Sequence, residues 1–112
     1  MKKLEAIIRP YKVEDIRQAL DESGFHGISI TEVKGYGRQL GHTEFYRGSE
    51  YSINFLPKVK IEVVCSDANA ERAVAIISQS ARTGDIGDGK IFISTIEEVV
   101  RIRTEETGEG AL

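Results

Sequence analysis

The residues best suited to chemistry in this 112-residue chain concentrate in one run, Thr83-Gly84-Asp85-Ile86-Gly87-Asp88-Gly89-Lys90, which passes directly into the apolar Ile91-Phe92-Ile93. Three glycines and one lysine so close together form the composition of a phosphate cradle. Glycine lets backbone N–H groups approach an anion closely, and the lysine ammonium supplies a point charge. Gly84, Gly89 and Lys90 keep the G-x-x-x-x-G-K spacing of a P-loop, but Ile91 stands where that motif needs a Ser or Thr to hold magnesium. A helical pattern precedes the loop and a strand pattern follows it, which reverses the strand, loop, helix order of a P-loop. The Walker reading therefore fails. Two others stay open: a phosphate site of a different kind, or a plain helix-to-strand connection with glycine at the helix end.

Arg101 and Arg103 form a second basic feature, two residues apart, Arg101 within and Arg103 just past a short apolar stretch, 99–102, that reads as a last strand. Strand alternation would put both guanidinium groups on one face. Taken alone, the pair also fits a charged sheet edge that blocks aggregation. His26 and His42 have no nearby Cys or carboxylate at metal-ligand spacing and read as ordinary loop residues, and no catalytic triad is visible. The single cysteine, Cys65, ends an apolar run and reads as a small buried hydrophobe.

The elements that must position these groups follow from periodicity. Residues 4–8 read as a strand, 13–20 as a helix with Val13, Ile16 and Leu20 on one face and Gly24 as its stop, and 28–33 as a strand. The order repeats: a strand at 59–64, a helix at 70–81 with Ala70, Ala73, Val74 and Ile77 aligned, and a strand at 91–93. Two βαβ halves predict an α+β, ferredoxin-like βαββαβ fold with an antiparallel sheet and both helices on one face, in one domain spanning 1–112. Apolar residues do not alternate strictly in Ala6-Ile7-Ile8 or in Ile61-Glu62-Val63-Val64, so the uncovered sheet face is expected to be buried by subunit association. The connection at 35–55 is far longer than an antiparallel link needs and holds Tyr36, Phe45, Tyr46, Tyr51 and Phe55. It reads as a functional loop, or as a ribbon that merely extends the sheet. The polar tail at 104–112 is expected to be mobile. A net charge of −3 argues against nucleic-acid binding through bulk charge. The alternating N-terminus offers no signal peptide or membrane span, and a reducing cytoplasm fits the lone cysteine.

Four stretches in this order, Gly35-Tyr36-Gly37-Arg38-Gln39, Tyr46-Arg47-Gly48-Ser49-Glu50-Tyr51, the 82–90 loop and Arg101-Ile102-Arg103, resemble the PII nitrogen-regulatory signal proteins through nearly the whole chain. The resemblance implies a homotrimer with ATP or ADP in the clefts between subunits and 2-oxoglutarate beside MgATP. It also implies that the 35–55 loop, the T-loop of the family, grips target proteins such as an amino-acid kinase, an ammonium channel, an adenylyltransferase or a transcriptional co-activator. Carried over residue by residue, Gly87, Asp88, Gly89 and Lys90 would surround the phosphates and Arg101 and Arg103 would reach in from the adjacent subunit, with Gly37 and Arg38 nearby. Ile7, Gly27, Ser29, Gly35, Glu62 and Val64 match positions around adenine and ribose, Ser29 replacing a common threonine. Gln39 would share its side-chain oxygen with magnesium, and Gln39, Lys58, Gly87 and, as one of two equal readings, Arg9 would bind 2-oxoglutarate. The other role open to Arg9 is to balance Glu5 or a helix terminus. Ser49 and Tyr51 match positions of phosphorylation and uridylylation. Leu40, where a basic residue is common, and Glu105, where glycine is usual, depart from the pattern. The resemblance implies a regulator rather than an enzyme; a slow ATPase and a structural trimer without nucleotide are the rival readings.

Overall fold

The computed structural model describes residues 1–36 and 55–112 with their side chains, together with the backbone of two short strands between them. In chain order the elements are β1 (Lys2–Ile8), α1 (Val13–Glu22), β2 (Ile28–Tyr36), β3 (Thr43–Tyr46), β4 (Ser49–Ser52), β5 (Phe55–Cys65), α2 (Asp67–Ala81) and β6 (Lys90–Thr95). The main sheet has the order β2-β5-β1-β6 with every neighbouring pair antiparallel, the ferredoxin-like arrangement expected from the two βαβ halves. Among the described residues β3 and β4 pair with each other and with no strand of the main sheet.

Alternation along the strands separates two faces. Leu4, Ala6, Ile8, Val59, Ile61 and Val63 point to one face and are buried there against Ile16 and Leu20 of α1 and Ala73 and Ile77 of α2. Cys65 is buried at the edge of the same cluster. α1 ends where the sequence marked a stop. The amide of Gly24 donates to the carbonyl of Asp21 and that of Phe25 to the carbonyl of Leu20, a Schellman closure that turns Phe25 into the core.

The opposite face is charged. Lys3 bridges Glu5 at 2.9 Å and Glu62 at 3.1 Å, Lys60 reaches Glu62 at 3.3 Å, and the neighbouring Phe92 is 55% exposed. These ion pairs share the side that the helices leave open with Ile7 and Val64, which are half-buried.

Strand lengths differ from expectation in an informative way. β5 runs through Pro57, and β2 continues to Tyr36, whose ring lies 5.5 Å from that of Phe55. Pairing of β5 with β1 ends at Val59 opposite Ile8, so Pro57 falls where β5 has a neighbour on one side only and needs no second ladder donor.

The expected last strand at 99–102 is absent. Val100 makes one isolated bridge to Thr107, the amide of Glu105 donates to the carbonyl of Arg101, and that of Arg101 to Glu106, closing a turn. The stretch has the apolar alternation of a strand but pairs with no strand of the sheet, so its backbone bonds are made locally. The tail, expected to be mobile, makes defined contacts: Gly108–Ala111 forms a short 3-10 helix and Ala111 is buried. Among the described residues, no helix is long and apolar enough to cross a membrane.

Candidate functional site

The glycine loop runs from the end of α2 to the start of β6 and is held from three directions. Asp88 folds back on the loop: its carboxylate accepts from the amides of Thr83 at 2.8 Å and Gly84 at 2.9 Å, and from the Thr83 hydroxyl. Arg9, just beyond β1, donates to Asp88 at 3.3 Å and to the carbonyl of Ile86 at 2.9 Å. Lys58 of β5 donates to the carbonyl of Gly87 at 2.7 Å. Gly89 is pressed so closely on β1 that an added Cβ would lie 1.7 Å from the carbonyl oxygen of Ile7, and its φ of +100° is one that side-chain-bearing residues rarely adopt.

These contacts tune the charges. The Thr83 hydroxyl bond chiefly, helped by the Thr83 and Gly84 amides and by Arg9, holds the Asp88 carboxyl far below the usual range against a smaller opposing effect of desolvation. Lys58 is only 9% exposed, and its pKa is pushed down, first by burial and then by the neighbouring Arg9 charge, with Asp88 opposing. Gly35 lies beside it; an added Cβ would stand 2.8 Å from the Lys58 Cγ, so the bare glycine gives the lysine stem its path across β2.

The expected site residues fall into separate places on one chain. Ile7, Gly35, Lys58, Gly87, Gly89 and Lys90 line one cleft of about 480 Å³, with Phe92 and Ile86 on its walls. Gly27, Ser29, Glu62 and Val64 line another, of about 620 Å³, whose rim includes Glu109, Ala111 and Leu112 of the tail. Asp88 lines neither. It faces a smaller cleft along α2 and β6, which Gly89 and Lys90 line as well. In the first cleft Lys90 is exposed and forms no ion pair among the described residues. In the second, Glu62 is held ionised first by its bond from Lys3 and next by that from Lys60.

Arg101 and Arg103 do not lie on a strand, so alternation is not what places them. Arg101 donates to Glu106 at 2.9 Å and to the carbonyl of Leu112 at 3.2 Å, while Arg103 is exposed in the turn. Arg9 serves neither of its expected balancing partners; its guanidinium is engaged inside the glycine loop. His26 pairs with Asp21 at 2.8 Å on the surface. Gly37, Arg38 and Gln39, and the side chains of Ser49 and Tyr51, lie outside the described residues. Thr83, quoted in the motif but assigned no role there, emerges as a central contact of the loop; its only sequence signal was its place beside Gly84.

The sequence profile described as Nitrogen regulatory protein P-II matches residues 1–106. The chain is 60% identical to the nitrogen regulatory protein P-II of Rhizobium meliloti (strain 1021), 62% identical to that of Mesorhizobium japonicum and 61% identical to that of Azospirillum brasilense. Each match extends over 112 residues and covers all of both chains.

Proposed function

Because the chain belongs to the P-II family of nitrogen regulatory proteins, we propose that it is a nitrogen signal-transduction regulator that binds ATP or ADP and 2-oxoglutarate and controls target proteins through its 35–55 loop. The observation that carries the ligand part of this reading is the economy of the glycine loop. Asp88 takes up the amides of Thr83 and Gly84, yet among the described residues the amides of Gly87 and Gly89 have no intramolecular acceptor. They stand beside the exposed Lys90, and unpaired amides next to a free ammonium suit a phosphate chain. A helix-to-strand connection with no ligand does not require that arrangement.

In this reading Gly87, Gly89 and Lys90 hold phosphates, while Ile7 and Gly35 line the same cleft. The second cleft, with Gly27, Ser29, Glu62 and Val64, supplies the other wall when a neighbouring copy is brought up against it, and Arg101 and Arg103 come with that copy. A homotrimer makes such a site three times over. The charged and partly apolar sheet face and Ile102, 95% exposed, support burial between copies. 2-Oxoglutarate is assigned to Lys58, whose buried ammonium favours a carboxylate partner. Arg9, already engaged with Asp88 and Ile86, acts there through the loop. Magnesium, with ligands from phosphate and 2-oxoglutarate oxygens and Gln39, would offset the repulsion between the two anions and so couple their binding.

Target binding falls to the 35–55 loop, whose two described strands pair with each other and not with the main sheet. An amino-acid kinase, an ammonium channel, an adenylyltransferase and a transcriptional co-activator remain the partner classes, with Ser49 or Tyr51 as the site of a charge-adding modification. Regulation rather than catalysis is the proposed role, in the cytoplasm.

Equilibrium titration of ATP and ADP into the wild type, Lys90→Ala and Arg103→Ala tests the nucleotide reading. Each substitution is expected to weaken ATP binding by about 1.5 to 3 kcal/mol with unfolding unchanged. Wild-type protein that binds neither nucleotide would refute it.

A further inference from the structure

We propose that Thr83 is a positioning residue for phosphate binding, acting through Asp88, whose carboxylate it draws back onto the loop and away from the cleft that Ile7, Gly35 and Lys58 line. The proposal rests on the nucleotide reading above and deepens it.

The geometry has a specific consequence for charge. Asp88 sits between Gly87 and Gly89, the two residues whose amides are left for a phosphate, so an outward-facing carboxylate there would oppose a polyanion at close range. Instead the side chain reaches back five residues, accepting the Thr83 hydroxyl and the Thr83 and Gly84 amides, with Arg9 meeting the same oxygen as the hydroxyl. Its pKa is depressed accordingly, so it stays charged and stays engaged. The Thr83 oxygen also accepts from the amide of Asp85 at 3.2 Å, which ties the near side of the loop to the same point. One hydroxyl therefore does two things: it restrains a loop whose Gly84, Gly87 and Gly89 are all at positive φ, and it removes a negative charge from the phosphate path. The amides of Thr83 and Gly84 are filled from within, which narrows the phosphate-facing set to the Gly87–Gly89 end.

Thr83→Val keeps the shape and deletes the hydroxyl, and Thr83→Ser restores it. Binding of ATP, ADP and adenosine to the three full-length proteins would be measured alongside amide hydrogen exchange without ligand. The penalty in Thr83→Val is expected to rise with phosphate charge: about tenfold for ATP, about threefold for ADP and under about twofold for adenosine. Thr83→Ser should stay within about twofold of wild type throughout, and the amides of Thr83 and Gly84 should lose protection in Thr83→Val alone. Equal losses for ATP and adenosine, or wild-type ATP affinity in Thr83→Val, would overturn the proposal. Wild-type protein that binds none of the three ligands would sink the nucleotide reading and with it Thr83's role in phosphate binding. The exchange data would still decide the clamp, since unchanged protection in Thr83→Val means that the hydroxyl does not hold the loop.

Discussion

The ammonium of Lys58 donates a 2.7 Å hydrogen bond to the carbonyl oxygen of Gly87, joining the strand that leaves the 35–55 loop to the glycine loop 29 residues further along the chain. The ammonium has two further N–H donors for a carboxylate, so a ligand held by Lys58 is tied through this bond to the glycine loop. The two proposed ligands thus share a mechanical link as well as a metal.

The lowered pKa of Lys58 gives that link a pH signature. Below its ordinary value of 10.5 the unfolded chain keeps the proton that the folded state gives up, so between the lowered value and 10.5 the contribution to stability rises with pH. Binding of a dicarboxylate has the opposite sign, because it needs the charged form. Affinity for 2-oxoglutarate should fall as pH rises through the lowered value, with proton uptake on binding. Calorimetry in buffers of different ionisation enthalpy would show this in the wild type. Lys58→Arg, charged throughout the range, should lose the dependence, and an unchanged pH profile in that variant would assign the effect to another group.

Two glycines of one loop should respond very differently to alanine. At Gly84 an added Cβ meets nothing within 4 Å and only the φ of +94° is strained, which costs about 1 to 2 kcal/mol. At Gly89 the same strain is joined by overlap with the Ile7 backbone, and a further ~2 kcal/mol or more is expected. Urea unfolding of the two variants checks the difference, and equal losses would mean that β1 yields at Ile7.

The helix-and-strand order was legible because the buried residues recur with the period of each element: Ile16 and Leu20 in α1, and Leu4, Ala6 and Ile8 in β1. The stretch 99–102 carried the same alternation without a strand to pair with, and pairing is a property of the whole fold that a local pattern does not encode. The composition of the glycine loop suggested a phosphate cradle or a plain helix-to-strand connection, without deciding between them. The division of labour inside it was not legible, since Thr83 acquires its role only when Asp88 folds back across Gly84, and Arg9 reaches the loop from 77 residues away in sequence. The residues expected to bind nucleotide are scattered along the chain, and a single copy gathers most of those described into two clefts.

Glu105 is the one non-glycine residue at positive φ among the described residues, at 62°, inside the turn that replaces the expected strand. Glycine is free of that strain but loses more entropy on folding, so Glu105→Gly should be neutral to about 1 kcal/mol stabilising. Glu105→Val should cost about 1 to 2 kcal/mol, because branching at Cβ worsens the left-handed conformation. Thermal unfolding of the pair is the check, and a Val variant as stable as the Gly variant would show that the turn has a different backbone in solution.

The coupling between ligands tests the central claim most directly. Calorimetric titration of 2-oxoglutarate should be run on the full-length protein alone, with ATP, with magnesium, and with both. Affinity is expected to rise by the equivalent of about 1 to 3 kcal/mol only when ATP and magnesium are present together. The same 2-oxoglutarate affinity in all four conditions, or no binding in any, would contradict a regulator that reads carbon and energy status at one shared site.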